Sequence, residues 1–418
     1  MRLLALALVL VSCGRTSPVF GVPFSGGGTG AAGGGTSLGG GSPGGGSGGG
    51  LGGGTATGGG SASGGGSGTG GAGTGGGATV MPLTATRAGV PTVAFVVDTS
   101  SSMETPLSTT APGCSPNCGP NNPCPSNCLT RWGAVKSFVQ DVTSQSTTLG
   151  RFTLLHFPTT ATCGGPTGLD VAPPMTDDAP ALASKAMSVA TQVATLIRRG
   201  GTPTATALRF MSTAPDVVRG DRETIAVLVT DGLPNCNLMN PNTCMNPAAC
   251  QCTSNSCSGS LCTVGCLDLS TLTVISTLRA QGIQTMVVGV GAETVAPFIE
   301  NLAVAGDFVP TCTVDADCPS GVTCDAATSS CKRKSFFIGD PTLTQSTADL
   351  LGKWMKEAAA CAWHLENTAG LTSTTLQVAI DGAPVTQGWL LSGNVVRFSG
   401  GNCAKLLGGS TPTFAIAP

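Results

Sequence analysis

This chain contains no tyrosine and only two histidines, and aromatic and charged residues make up just 4% and 10% of it. Acid–base and nucleophilic catalysis near neutral pH draws first on histidine, so few candidates remain. His156 stands in an apolar run and His364 beside Trp363, and neither belongs to a Ser/His/Asp or Cys/His motif. Both read as satisfied structural residues, and the chain reads as a binder rather than an enzyme. Lysine and arginine never gather beyond Lys332-Arg333-Lys334, and the net charge is −2. Without a basic stripe, nucleic acid is disfavoured as a partner. No run past the N-terminal stretch reaches the roughly 18 apolar residues that a spanning helix needs.

What is abundant is glycine, 63 residues of 418, and it is unevenly placed. From Ser25 to Thr79 the chain is almost entirely Gly, Ser, Thr and Ala, a composition that cannot bury enough apolar surface to offset its conformational entropy. Residues 14–90 are therefore expected to be a disordered linker, and its Gly/Ser part has a root-mean-square reach of about 40 Å. G-x-S-x-G matches within it, such as Gly45-Gly46-Ser47-Gly48-Gly49, are composition and not nucleophile elbows, since no strand precedes and no helix follows. Ahead of the linker, Met1-Arg2 and the apolar stretch Leu3 to Val11 read as an export signal, residues 1–13. Leu10-Val11-Ser12-Cys13 resembles the lipobox of bacterial lipoproteins, which implies a lipid on Cys13. Gly14 in place of an acid after it implies passage to the bacterial outer membrane, on the periplasmic side or the cell surface, with attachment by lipid alone.

The cysteines fit export. There are 19, and setting Cys13 aside leaves an even number, suited to full pairing in an oxidising compartment. They cluster as Cys114, Cys118, Cys124 and Cys128; as Cys236, Cys244, Cys250, Cys252, Cys257, Cys262 and Cys266, with isolated Cys163 as a possible eighth; as Cys312, Cys318, Cys324 and Cys331; and as Cys361 with Cys403. Zinc is the rival reading for the four-cysteine groups, disfavoured by their irregular spacing. Connectivity stays open, except that a Cys361–Cys403 bridge is expected to fasten the C-terminal piece.

Three segments carry chemistry. Val93-Ala94-Phe95-Val96-Val97 is an apolar run of the kind buried on both faces of a parallel sheet, and it ends in Asp98-Thr99-Ser100-Ser101-Ser102. Ile225 to Thr230 is a second such run, ending in Asp231-Gly232, and Gly200-Gly201-Thr202 is a glycine turn opening a helix. Open α/β sheets place their ligands at the carboxyl ends of strands, so Asp98, Ser100, Ser102, Thr202 and Asp231 are expected to converge. Each has an ordinary reading too: Asp98 and Thr202 as helix caps, Asp231-Gly232 as a turn. Taken together they make a carboxylate and hydroxyl set without sulfur or imidazole, which suits Mg²⁺ best, with Mn²⁺ or Ca²⁺ as substitutes.

In these motifs the chain resembles the von Willebrand factor type A (VWA) family, whose metal-ion-dependent adhesion site is written D-x-S-x-S, then a Thr, then an Asp. Asp98, Ser100, Ser102, Thr202 and Asp231 match all five positions. The resemblance implies that the two serines, and the threonine in one state, touch the metal, while the aspartates often act through water. It implies a doubly wound, mostly parallel α/β sheet of the VWA and Rossmann-like kind. It also implies adhesion to a protein partner that offers an Asp or Glu carboxylate.

The strand and helix pattern agrees. Strands at Thr92–Val97, Arg151–Phe157, Ile225–Thr230, Ile283–Gly289 and Ser335–Ile338 alternate with helices at Leu129–Gln145, Ala179–Arg198, a short one from the glycine turn to about Ser212, Leu267–Gln281, Thr294–Val304 and a last one from a Ser346-x-x-Asp349 capping box to Ala360. The resemblance to the VWA family spans residues 91–360, which are expected to be one domain with cysteine-rich inserts at 104–128, 233–266 and 311–334. The first two follow strand ends and should rim the metal. They carry one acid, Glu104, so a carboxylate for the metal would come from a partner. The third, whose Asp315-Ala316-Asp317 lacks an acid at the twelfth position, reads as a disulfide knot. Residues 361–418 are expected to be a small β appendage with strands at Leu376–Ile380 and Val395–Phe398. Two further readings stay open: a structural envelope protein in which the metal only steadies the fold, and a soluble periplasmic factor.

Overall fold

The computed structural model of the protein describes residues 81–108, 113–115, 118–119, 122–237, 268–291, 296–308, 312, 314–315, 318, 322–325, 330–332, 335–338, 341–366, 368 and 371–416. In chain order the elements are β1 Met81–Leu83, β2 Ala85–Arg87, β3 Thr92–Asp98, α1 Arg131–Gln145, β4 Arg151–Phe157, α2 Ala179–Thr195, α3 Thr204–Thr213, β5 Thr224–Thr230, α4 Ser270–Ala280, β6 Ile283–Val290, α5 Ala296–Gly306, β7 Cys324–Asp325, β8 Ser330–Cys331, β9 Ser335–Ile338 and α6 Pro341–Cys361. Then follow β10 Ala362–Leu365, β11 Leu376–Ile380, β12 Ala383–Pro384, β13 Trp389–Ser392, β14 Val395–Phe398, α7 Gly400–Leu407 and β15 Pro412–Ile416.

Five strands form one parallel sheet in the order β4-β3-β5-β6-β9. All seven residues of β3 and of β5 are buried, because helices cover both faces. The pleat sends alternate side chains to opposite sides. Val93, Phe95 and Val97 pack with Phe138 of α1, Val189 of α2 and Trp354 of α6, whereas Ala94 and Val96 pack with Leu208 of α3, Ile275 of α4 and Ile299 of α5. This is the doubly wound α/β fold expected from the apolar runs. Helix starts follow local chemistry: the Thr130 hydroxyl accepts the Gly133 N–H at the head of α1, and Asp178 accepts the Ala181 N–H at the head of α2. One boundary differs. The last helix starts at Pro341, ahead of the expected Ser346 cap, since proline at a first helical turn has its φ preset and no N–H to satisfy.

The C-terminal region is larger than an appendage of residues 361–418. It has two antiparallel sheets, β1-β15-β11-β12 and β13-β14-β10-β2, so Met81–Leu83 and Ala85–Arg87, expected within the linker, are strands. Three-residue strands carry no period of their own; β15 and β10 supply the pairing. Leu365, Leu376, Val378, Val396, Phe398 and Phe414 form the core between the two sheets, together with Cys361 and Cys403, which are disulfide-bonded as expected. A buried ion pair ties this region to the parallel sheet: the Arg397 Nε donates to Glu223 Oε1 at 3.1 Å, with Glu357 at 3.6 Å and the Trp354 ring beneath the guanidinium. Burial pushes the Glu223 carboxyl upward, with Arg397 opposing.

Among the described residues the disulfides are Cys114–Cys128, Cys118–Cys124, Cys163–Cys236, Cys312–Cys324, Cys318–Cys331 and Cys361–Cys403. Sulfurs so bonded are not zinc ligands. Cys13, Cys244, Cys250, Cys252, Cys257, Cys262 and Cys266 lie outside the described residues, as does most of the 233–266 insert. No helix among the described residues is long and apolar enough to cross a membrane.

Candidate metal centre

The candidate site forms where β3 and β5 end side by side, Val97 facing Val229 in register. Asp98 is the last residue of β3 and is fully buried. Its Oδ1 accepts the Ser100 N–H at 2.8 Å and its Oδ2 accepts the Thr230 hydroxyl at 2.7 Å. Asp98 does not cap the turn that follows, whose cap position is Ser100 with no side-chain cap bond; its Oδ1 instead folds the loop before that turn. That loop closes in a single 3₁₀ turn, Ser101–Glu104, pegged by the buried Met103. The turn brings the Ser100 and Ser102 hydroxyls to 3.0 Å of each other, and Ser102 donates to Asp231 Oδ1 at 3.0 Å. Asp98, Ser100, Ser102 and Asp231 therefore belong to one connected polar cluster.

Thr202 reaches the same neighbourhood through backbone pairing. The Ser101 N–H donates to the Gly200 carbonyl and the Arg199 N–H to the Thr99 carbonyl, lacing the two loops together. Gly200 has φ +70°, and a Cβ there would stand 2.3 Å from the Thr162 carbonyl oxygen, so only glycine fits. Thr202 is buried, and its N–H donates to Asn235 Oδ1 at 2.8 Å. The helix after it has Pro203 at its cap and no side-chain cap bond, so the cap reading of Thr202 does not hold. Next to Asn235, the Cys163–Cys236 bond ties the loop after β5 to the loop after β4. The Thr162 carbonyl in turn accepts the Gly201 N–H.

Electrostatically the cluster is two buried carboxylates and one cation. Burial pushes the Asp98 carboxyl up to about 7, with the negative charge of Asp231 adding to it. Burial also raises Asp231, against the pull of Arg131, whose Nη1 donates to Asp231 Oδ2 at 2.6 Å. Arg131 was invisible to motif reading, as were Thr230 and Asn235. Nothing in the spacing of a helix-start arginine announces a partner that lies 100 residues away in sequence. The donor set itself fits a hard divalent cation, being two carboxylates and neutral hydroxyl oxygens with neither thiolate nor imidazole. Two buried acids in like-charge contact are also the groups whose ionised forms a cation would relieve.

On the rim, the single acid foreseen, Glu104, is held by Arg198 at 3.3 Å, and Arg198 also lies over the Trp132 ring. His156 is paired through Nδ1 with Asp170 at 2.7 Å, and His364 lies in β10, so neither is part of the cluster.

No family model matches this sequence, and no curated protein matches it. Solved structures similar to it include the PilB minor pilin from Streptococcus sanguinis, at 12% identity and a TM-score of 0.38 over 64% of this chain and 62% of the pilin. Manganese-loaded TRAP protein of Plasmodium vivax is similar at 18% identity and a TM-score of 0.30, over 54% of this chain and 66% of that one. Proximal thread matrix protein 1 from the mussel byssus, with a zinc occupied MIDAS motif, is similar at 16% identity and a TM-score of 0.28, over 49% and 37%. In each case the match spans less than two thirds of the other protein's length. Similarities this distant carry no argument about function.

Proposed function

We propose that this protein is an exported, lipid-anchored, divalent-metal-dependent adhesion module. Asp98, Ser100, Ser102, Thr202 and Asp231 hold Mg²⁺, or Mn²⁺ or Ca²⁺ in its place, and a partner protein's Asp or Glu carboxylate binds at the metal. The observation that carries this reading is the pair of buried carboxylates at the tips of adjacent parallel strands: Asp98 accepts the Ser100 N–H, the Ser100 hydroxyl meets that of Ser102, and Ser102 donates to Asp231. A bound cation supplies the attraction for the incoming carboxylate. The chain's own residues orient the serine oxygens and keep other carboxylates away, since Glu104 is already paired with Arg198. Lipid on Cys13 would hold the module at the bacterial outer membrane at the end of a Gly/Ser tether. The depth of Asp98 favours a second reading, a structural envelope protein in which the metal only steadies the fold.

A pull-down from envelope extracts, with and without Mg²⁺, separates the two readings. The adhesion reading expects a captured protein that chelator releases and that D98A and D231A variants, still folded, fail to retain. Capture that ignores chelator, or calorimetry without divalent-metal binding, would refute it. Palmitate labelling abolished by C13S, with release from membranes, tests the anchor.

A further inference from the structure

The cation already in the cluster assigns a role that the motif does not contain. Arg131 is the first residue of α1, where the positive pole of the helix disfavours a basic side chain. It is nevertheless fixed there at both ends. Its backbone N–H donates to the Thr105 carbonyl at 3.0 Å, and its Nη1 lies 2.6 Å from Asp231 Oδ2. The Asp231 side chain is fully buried, while that of Arg131 is 24% exposed. Among the described residues Arg131 Nε is buried without a hydrogen-bond partner, and the guanidinium pairs with Asp231.

The other carboxylate oxygens are occupied differently. Asp98 has its two on the Ser100 N–H and the Thr230 hydroxyl, and Asp231 Oδ1 accepts from Ser102. Of these four oxygens, Asp231 Oδ2 is the one that faces a full positive charge among the described residues. A divalent ion arriving among these groups would bring the total to three positive charges against two negative. Either the arginine withdraws from Asp231 or it stays as a repelling neighbour, and in both cases its charge opposes loading. We propose that Arg131 is a built-in competitor for the metal: it satisfies the buried carboxylate when no metal is bound and sets how much divalent cation is needed to fill the site. This rests on the metal reading above and adds to it a positioning residue that tunes affinity.

The test is calorimetric titration of MnCl₂ into full-length, chelator-dialysed protein, comparing the wild type with R131Q and R131K. R131Q, which removes the charge and keeps a donor, is expected to bind Mn²⁺ at least tenfold more tightly. R131K, which keeps the charge, should stay within threefold of the wild type. If R131Q folds poorly without metal, the same dissociation constants are read from the rise in melting temperature along a Mn²⁺ series, because a ligand that binds the native state stabilises it by RT ln(1 + c/Kd) at free ligand concentration c. Metal binding by the wild type with R131Q unchanged or weaker would overturn the Arg131 role alone. R131K binding as tightly as R131Q would overturn it too, by showing that charge is not the cause. No metal binding by either the wild type or R131Q would refute the adhesion-site reading, and this role with it.

Discussion

Asp98→Asn is a substitution whose effect should change sign with metal. In metal-free protein, burial and the Asp231 charge push the Asp98 carboxyl up to about 7, whereas in the unfolded chain it titrates near 3.9. Between those values the folded state holds a proton that the unfolded chain has lost. Stability from this group is therefore fully present below about pH 3.9 and is lost as pH rises through about 7. At about 1.4 kcal/mol per pH unit the ceiling on that loss is about 4 kcal/mol at pH 8. The asparagine is neutral at every pH and nearly the same shape; its oxygen can take the Ser100 N–H, and its amide can donate to the Thr230 hydroxyl oxygen. In EDTA at pH 8, D98N should therefore be the more stable protein, by about 2–4 kcal/mol or a rise in Tm of about 5–10 °C. The difference should shrink towards zero near pH 4. With metal at a hundred times its Kd, the wild type gains about 2.7 kcal/mol that D98N does not, so the gap closes or reverses. Differential scanning calorimetry across pH, with EDTA and with Mg²⁺, reads all of this. D98N less stable than the wild type in EDTA at pH 8, or a gap that widens as pH falls, would refute the reasoning.

Three other outcomes follow from the geometry. R397A should lose about 3–5 kcal/mol in urea unfolding, because it strands the buried Glu223 carboxylate; the double variant E223Q/R397M should recover at least half, and no recovery would mean that Arg397 acts through packing alone. C163S/C236S opens a bond spanning 73 residues, worth about 4 kcal/mol in the chain-entropy model. It should also weaken metal binding by calorimetry, since Asn235 beside it fixes Thr202; unchanged metal affinity would show that the loop is placed by other contacts. G200A should lose at least about 1–2 kcal/mol, because φ +70° and the Thr162 carbonyl leave no place for a methyl group; thermal melts within 1 °C of the wild type would contradict this.

The strands at the site were legible in the sequence for a local reason. A strand covered by helices on both faces must be a continuous apolar run, so Val93–Val97 and Ile225–Val229 declare themselves, and the first acids after them mark the strand tips. The bounds of β4, β9, β11 and β14 could likewise be read from apolar runs and turn residues. The motif named Asp98, Ser100, Ser102 and Asp231 before any contact was known, and the fold brings these four into one polar cluster. Other features had no local signal. Met81 pairs with Ile416 and Trp363 with Arg87, although the short N-terminal strands look like the end of a linker, because their pairing partners come from the far end of the chain. The Cys163–Cys236 bond was one of many possible pairings until β4 and β5 were placed on either side of β3. The contact between Arg131 and Asp231 depends on how α1 is seated against the end of β5. Sequence alone could place Asp98 and Asp231 at strand tips, because the apolar runs before them are local, but it gave no sign of Thr230 and Asn235, whose oxygens also enter the site. It could not fix the charge balance there, because that balance depends on a long-range contact that only the packed chain creates.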